Sequence, residues 1–202
     1  MMAAVKFLRR SAPQTDVAPP EGGSFDLVQD LQATAASAPP EDAAAVARAV
    51  LLKLDILQGR DKKVRLIRSI ARLDSAWACA VLFELLGDVS EEIRDLAVRH
   101  IAPRCDCPMD RLYGRLRQPP WYVKSAILRI FCLRRDAGAV SAIGAVIDDP
   151  NVEVRRWAAL ALGRIGGPDA RSLLVHLTKD KNPYVKQAAT DALDKICDFK
   201  FS

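Results

Sequence analysis

Histidine and aromatic residues are scarce in this chain of 202 residues, which has two histidines and 6% aromatic residues. It contains neither a G-x-x-x-x-G-K-[ST] phosphate loop nor a G-x-S-x-G nucleophile elbow, and His100 and His176 stand in no recognisable acid–base arrangement. Paired acids such as Asp148-Asp149 lie at predicted helix starts, where the helix dipole accounts for them. The sequence therefore predicts a protein that is not an enzyme and needs no cofactor.

Long apolar runs are also missing, because every window of about 20 residues contains a charged side chain. We therefore expect no membrane-spanning helix. No apolar run follows Lys6, Arg9 and Arg10, which argues against a secretory signal. The five cysteines are scattered and odd in number, unlike a disulfide framework. These features predict a cytoplasmic protein with reduced thiols.

Apolar residues make up half of the chain, which is enough for a sizeable core. Residues 1–40 differ from the rest, since they hold seven of the 22 glycines and prolines. We interpret 1–40 as a tail whose apolar spacing allows a short helix at 24–36. Phe7 and Leu8, among the cations of this tail, are candidate partner-binding residues.

An internal repeat begins after the tail, and its marker is a β-branched residue followed by a cation. Successive markers are separated by 29, 30, 31 and 31 residues. Residues three and seven positions after each marker share one helical face, so each repeat opens with an amphipathic helix. The markers are Val64-Arg65, Ile93-Arg94, Val123-Lys124, Val154-Arg155 and Val185-Lys186.

A second apolar segment follows each of the first four helices, and no segment has the alternation of a strand. Helical hairpins of about 30 residues bury their apolar faces by stacking on their neighbours. The sequence thus predicts an all-α fold, a right-handed α-solenoid of about five helical hairpins over residues 41–202. Its predicted parts are a helix at 41–58 and repeats at 59–89, 90–118, 119–149, 150–180 and 181–202.

Residues 148–166, DDPNVEVRRWAALALGRIG, resemble the short bacterial HEAT-like repeat named after phycobilisome lyase subunits, and residues 179–189 repeat the same opening. The resemblance implies an α-solenoid that most often serves as a protein-binding scaffold. It also implies a structural ladder in which repeat cations pair with aspartates of the same or a neighbouring repeat. The ladder residues would be Asp88, Arg94, Asp149, Arg155, Asp180 and Lys186, with Arg65 and Lys124 as further cations.

The net charge of +5 is spread evenly over the repeats, whereas a phosphate-binding groove concentrates its cations on one surface. One cluster stands out: Arg111 and Arg115 are four residues apart and share a helical face that could meet an acidic partner or a phosphate. A protein partner is the preferred interpretation. A nucleic-acid-binding HEAT solenoid and a bilin-lyase-like chaperone or accessory subunit are the alternatives.

Trp121 and Tyr122 follow two prolines at a predicted helix start, where exposed aromatic side chains favour partner binding. Trp157 falls on the apolar stripe of its helix and is predicted to be in the core. The last repeat has only its first helix, so its open face would be covered by Phe199 and Phe201 or by a second copy of the chain.

His100, Cys105 and Cys107 form the one cluster of metal-ligating residue types. Their spacing is poor for zinc, because one residue separates the cysteines and no second pair exists. We therefore predict no metal, although the cluster leaves metal binding open as an alternative. Cys79 and Cys132 lie in apolar runs and are predicted to pack in the core.

Overall fold

The computed structural model describes residues 29, 33, 43–56, 59–104 and 107–198. These residues form ten α-helices and one 3-10 turn and contain no strand. Most of the predicted tail, including Phe7 and Leu8, lies outside the described residues. Cys105, Phe199 and Phe201 lie outside them too.

The helices alternate along the chain between the first and second helix of a hairpin. The helices are α1 (Ala43–Ile56), α2 (Arg60–Ala71), α3 (Ala76–Leu85), α4 (Glu91–Ile101), α5 (Met109–Arg115), α6 (Trp121–Arg134), α7 (Val140–Gly144), α8 (Val152–Ile165), α9 (Pro168–Leu177) and α10 (Pro183–Asp198). None of the described helices is both long and apolar enough to cross a membrane.

The first helices of successive repeats pack side by side, in the order α2, α4, α6, α8 and α10. The second helices α3 and α9 each pack against the first helices on either side of them, and α1 packs against α3. Helix α1 thus occupies the place that a second helix of a preceding repeat would take. This arrangement confirms the predicted all-helical solenoid.

The five β-branched marker residues all lie in one continuous core. Their exposed fractions are at most 8%, and Val154 and Val185 are fully buried. Trp157 is only partly buried at the edge of this core, so the prediction that it is a core residue is wrong. The guanidinium groups of Arg129 and Arg156 lie near its ring.

Two glycines separate α8 from α9. Gly166 and Gly167 have φ angles of +74° and +90°, a conformation that residues with a Cβ rarely adopt. Pro168 follows at the first position of α9, where its missing N–H costs no hydrogen bond. The chain therefore turns sharply between α8 and α9.

The apolar segment 137–147 predicts the second helix of the third hairpin, but the helix in the structure is shorter than this segment. A 3-10 turn at Ala137–Ala139 precedes the five-residue α7. Asp136 begins this turn by accepting the Gly138 N–H at 3.0 Å, and the Tyr113 hydroxyl donates to the same carboxylate at 2.7 Å. Burial and this hydrogen bond raise the pKa of Tyr113 to about 12. These side-chain bonds hold the backbone in a turn that periodicity alone does not reveal.

Candidate functional site

Three aspartates mark the edge of the solenoid at which first helices begin. One carboxylate oxygen of each accepts the backbone N–H two residues further on, which closes a tight turn before the helix. The distances are 2.8 Å for Asp88 to Ser90, 2.9 Å for Asp149 to Asn151 and 2.7 Å for Asp180 to Asn182. Each aspartate therefore fixes the turn before the first helix that follows it.

The other carboxylate oxygen of each aspartate binds a cation of the preceding first helix, 25 residues earlier in the chain. The nitrogen–oxygen distances are 3.3 Å for Lys63 to Asp88, 2.6 Å for Lys124 to Asp149 and 2.6 Å for Arg155 to Asp180. We call these three contacts the aspartate ladder. They join neighbouring repeats along one edge and engage cations that would otherwise be available to phosphate groups.

The Arg155–Asp180 rung is the most buried of the three. Arg155 as a whole is 4% exposed, and its guanidinium makes a second bond to Asp180 at 3.1 Å. It also donates to the Asp149 carbonyl at 2.8 Å. The hydrogen bond from Arg155 holds the pKa of Asp180 below its usual value, and the same bond raises the pKa of Arg155. Both groups therefore stay charged in the folded protein.

The ladder differs from the predicted one at three positions. Lys63 rather than Arg65 reaches Asp88, and Arg65 is exposed. Arg94 has no carboxylate in this row because Gln118 stands at the aspartate position. Lys186 lies on the last described helix and is exposed.

Arg94 instead contacts an aromatic ring of the next repeat. Its guanidinium carbon lies 4.8 Å from the centre of the Tyr122 ring, while its Nη1 donates to the Val89 carbonyl at 3.0 Å. Trp121 packs edge-on against Tyr122 at a centroid distance of 6.0 Å. Trp121 is 47% exposed and Val89 is 91% exposed. We call Val89, Arg94, Trp121 and Tyr122 the Trp121 patch.

The two arginines predicted to face a partner together have different surroundings. Arg115 donates to the Phe83 carbonyl at 3.1 Å and lies 3.5 Å from the Glu84 carboxylate, so it ties α5 to the preceding repeat. Arg111 is exposed. Backbone and carboxylate oxygens of α3 thus hold the Arg115 side chain, and a contact of both arginines with a partner stays a prediction.

A second row of arginines joins the repeats at the other end of the first helices. Arg104 donates to the Leu73 carbonyl at 2.9 Å, and Arg134 donates to the Ala102 carbonyl at 3.2 Å and to the Arg104 carbonyl. This arginine row was not predicted from the sequence. Its signal is an arginine that recurs every 30 residues, at 104, 134 and 164.

Trp157 lies between two guanidinium groups on the surface formed by the first helices. Arg129 of α6 and Arg156 of α8 lie 5.4 and 5.3 Å from the centre of its ring. Arg129 also binds Asp95 of α4, and Arg156 binds Glu153 at 3.0 Å. The result is a chain of charged and aromatic contacts that crosses α4, α6 and α8.

Of the three potential metal ligands His100, Cys105 and Cys107, Cys105 lies outside the described residues. Burial lowers the pKa of His100, and the positive charges of nearby arginines, mainly Arg99 and Arg68, lower it further. The same charges disfavour a metal cation beside this side chain. Cys107 is buried against Cys79, with the two sulfurs 2.7 Å apart. No group of three or more potential metal ligands occurs in the part of the chain that the structure describes.

A groove of about 350 Å³ lies at the aspartate edge, between the turn before α8 and the turn after α9. His176 Nε2 lies 3.0 Å from the Asp148 carboxylate at its rim, and both side chains are exposed. The lining carries both signs of charge, from Asp149, Asp180, Arg155, Lys179 and Lys181 among others. This mixture favours neither a cationic nor an anionic ligand.

Comparison with known proteins identifies the repeat type of part of the chain. Residues 109–194 match the family model described as HEAT repeats. No curated protein matches the chain.

Several solved structures of repeat proteins are similar over most of the chain at low sequence identity. A crystal structure described as an engineered protein of the Northeast Structural Genomics Consortium is 22% identical, covers 91% of this chain and 93% of its own, and has a TM-score of 0.47. A designed armadillo repeat protein in complex with the peptide (KR)4 is 20% identical, with coverages of 89% and 95% and a TM-score of 0.46. YibA of Escherichia coli is 17% identical, with coverages of 96% and 81% and a TM-score of 0.42.

The family match covers the repeats in which the aspartate ladder has its two shortest rungs, and the helices before residue 109 continue the same packing. The protein is therefore an α-solenoid, and its residues 109–194 are similar to HEAT repeats.

Proposed function

We propose that this protein is a non-catalytic scaffold that binds another protein, with the Trp121 patch as part of its contact surface. The observation that carries the proposal is the exposure of nearly half of the Trp121 side chain. Tryptophan, tyrosine and arginine are the residue types most enriched among the energetically dominant residues of protein interfaces. Tyr122 contacts both Trp121 and Arg94, which brings all three residue types together.

The patch is held in place before any partner binds. Arg94 is tied to the carbonyls of Asp88 and Val89 at 2.8 and 3.0 Å, and its guanidinium covers the Tyr122 ring. A surface that is already ordered loses less conformational entropy on binding than a flexible one. The charges support a protein rather than a nucleic acid as partner, because the ladder cations bind aspartates of the chain itself.

The proposal is tested by affinity purification of the tagged protein from its native cell lysate at moderate salt after nuclease treatment. We expect a stoichiometric protein partner with the wild type and at least a tenfold weaker affinity of that partner for Trp121→Ala, since truncating a dominant interface residue costs about 2 kcal/mol or more. Calorimetry with the purified partner measures the loss.

Tyr184→Ala is the matched control. Tyr184 is 73% exposed and immediately precedes its marker valine, as Tyr122 does in the third repeat, but no ring contact or arginine stack involves it among the described residues. It should keep the wild-type affinity. The proposal fails if no partner is recovered with the wild type, or if Trp121→Ala binds the partner as tightly as Tyr184→Ala does. The tail residues Phe7 and Leu8 are a second proposed contact, which deletion of residues 1–40 tests in the same assay.

A further inference from the structure

Two cysteines that are 28 residues apart in the sequence lie in contact between the first and second repeats. Cys79 is on α3, and Cys107 is in the turn before α5. Their sulfur atoms are 2.7 Å apart, whereas a disulfide bond is about 2.0 Å long. The exposed fractions are 2% for Cys79 and 5% for Cys107. The pair is therefore buried, and a small displacement would bring its sulfurs to bonding distance.

The turn that carries Cys107 is fastened to its surroundings by the arginine row. Arg104 donates from this turn to the Leu73 carbonyl, in the turn just before α3. Arg134 donates from the next repeat to the Ala102 carbonyl. The contact between the two sulfurs is therefore supported by two hydrogen bonds that involve neither cysteine.

We propose that Cys79 and Cys107 are a thiol pair that peroxide oxidises to a disulfide, which covalently links the first repeat to the second. Cys107 lies in a turn and reacts first. Its thiolate attacks one oxygen of hydrogen peroxide, so that a sulfur–oxygen bond forms, the oxygen–oxygen bond breaks and the departing hydroxide leaves as water with the thiol proton.

The Cys79 thiolate then attacks the sulfur of the Cys107 sulfenic acid. The sulfur–sulfur bond forms as the sulfur–oxygen bond breaks, and a second water leaves with the proton of Cys79. Two thiols are oxidised by two electrons in all, and one peroxide is reduced to two waters. Because buried thiols have little thiolate, the reaction is slow compared with that of an exposed cysteine.

Formation of the disulfide lowers the conformational entropy of the unfolded chain and joins α3 covalently to Cys107, just before α5. From the length of the closed loop we expect the unfolding temperature to rise by about 5 to 10 °C. A thiol reductant such as dithiothreitol should reverse the shift. The disulfide would link the first two repeats, while the stability of later repeats would change only through their neighbours.

Peptide mapping of the full chain after hydrogen peroxide treatment tests the proposal. Remaining thiols are alkylated under denaturing conditions before digestion with trypsin. Cleavage after arginine places Cys79 in peptide 73–94 and Cys107 in peptide 105–111. We expect these two peptides to be linked, with a mass lower than their sum by two hydrogen atoms, and to separate on reduction.

Two cysteine variants make the assignment specific. Cys105 lies in the same tryptic peptide as Cys107, so the mapping is repeated with Cys105→Ser, in which the link should persist. Cys132→Ser, which removes the half-buried thiol of α6, should also leave the link intact. The proposal is overturned if peroxide leaves both thiols open to alkylation, if it produces sulfinic acid without a cross-link, or if the link is absent from Cys105→Ser.

Discussion

Replacement of Asp180 by asparagine is expected to lower the free energy of unfolding by about 3 to 5 kcal/mol, because it leaves the Arg155 charge buried without its carboxylate. The Arg155 and Asp180 side chains are only 5% and 7% exposed, so solvent cannot take over the role of the lost partner. Asparagine keeps an oxygen that can accept the Asn182 N–H, and the turn before α10 should survive. Urea unfolding followed by far-UV circular dichroism measures the change.

Asp148→Asn is the matched control for this variant. Asp148 is the neighbour of a ladder aspartate, but its side chain is 79% exposed and its partner is the exposed His176. Exposed ion pairs contribute about 1 kcal/mol at most. Equal losses for Asp148→Asn and Asp180→Asn would show that burial of the rung does not determine its contribution. Hydrogen exchange should show the loss of stability in α8 to α10, because the stability of a repeat depends on its interfaces with the neighbouring repeats.

The same rung makes stability depend on pH in a predictable direction. Arg155 holds the folded-state pKa of Asp180 below its ordinary value of 3.8, so the unfolded chain binds the proton more readily. Stability from this group is therefore complete above about pH 5 and is lost as the pH falls through the lowered folded value. We expect the stability difference between wild type and Asp180→Asn to shrink on acidification below about pH 4. A difference that is constant down to about pH 2 would contradict the shift.

Replacement of Gly163 by alanine is expected to destabilise the packing of α8 against α10. A Cβ at position 163 would lie 2.5 Å from the Cβ of Ala192 and 3.2 Å from its Cα, so helix α10 would have to move. Overpacking of this kind costs about 1 to 3 kcal/mol, while alanine gains about 1 kcal/mol over glycine in helix propensity. The expected net result is a loss of up to about 2 kcal/mol, measured by thermal and urea unfolding.

Gly114→Ala tests the same substitution without the clash. Gly114 is on α5, is exposed and has no atom within 4 Å of an added Cβ. It should therefore gain roughly 0.5 to 1 kcal/mol from helix propensity alone. Adding Ala192→Gly to Gly163→Ala should restore part of the lost stability, because it returns the missing space. Stabilisation by Gly163→Ala as large as that by Gly114→Ala would contradict the packing argument.

The fold followed from the sequence because its period is carried by buried residues. Each marker residue, from Val64 to Val185, lies in the core, and burial on one side of a helix constrains residue type strongly. The break at Gly166 and Gly167 was equally visible, since its positive φ angles favour glycine. Features set by backbone geometry and apolar burial therefore appear directly in the residue pattern.

The polar contacts between repeats were harder to predict. Lys63 and Arg65 are two residues apart and point in different directions, so the rotation of α2 decides which of them reaches Asp88. The surroundings of Arg115 depend on the distance to carbonyls of α3, which sequence spacing does not encode. The contact between Cys79 and Cys107 depends on how a turn folds onto the preceding repeat. In each case the missing quantity was the position of one repeat relative to another.

The replacement of one aspartate by Gln118 has a mechanical consequence for the solenoid. Between the other first helices along that edge, an aspartate carboxylate binds a cation of the preceding first helix. Between α4 and α6, the cation Arg94 instead packs on the Tyr122 ring. A ring face attracts a guanidinium without fixing a hydrogen-bond direction, so the two surfaces can slide with little change in energy. Elastic bending of this edge should concentrate at that joint. The Trp121 side chain lies beside it, so bending at this joint would change the orientation of the patch relative to the later repeats.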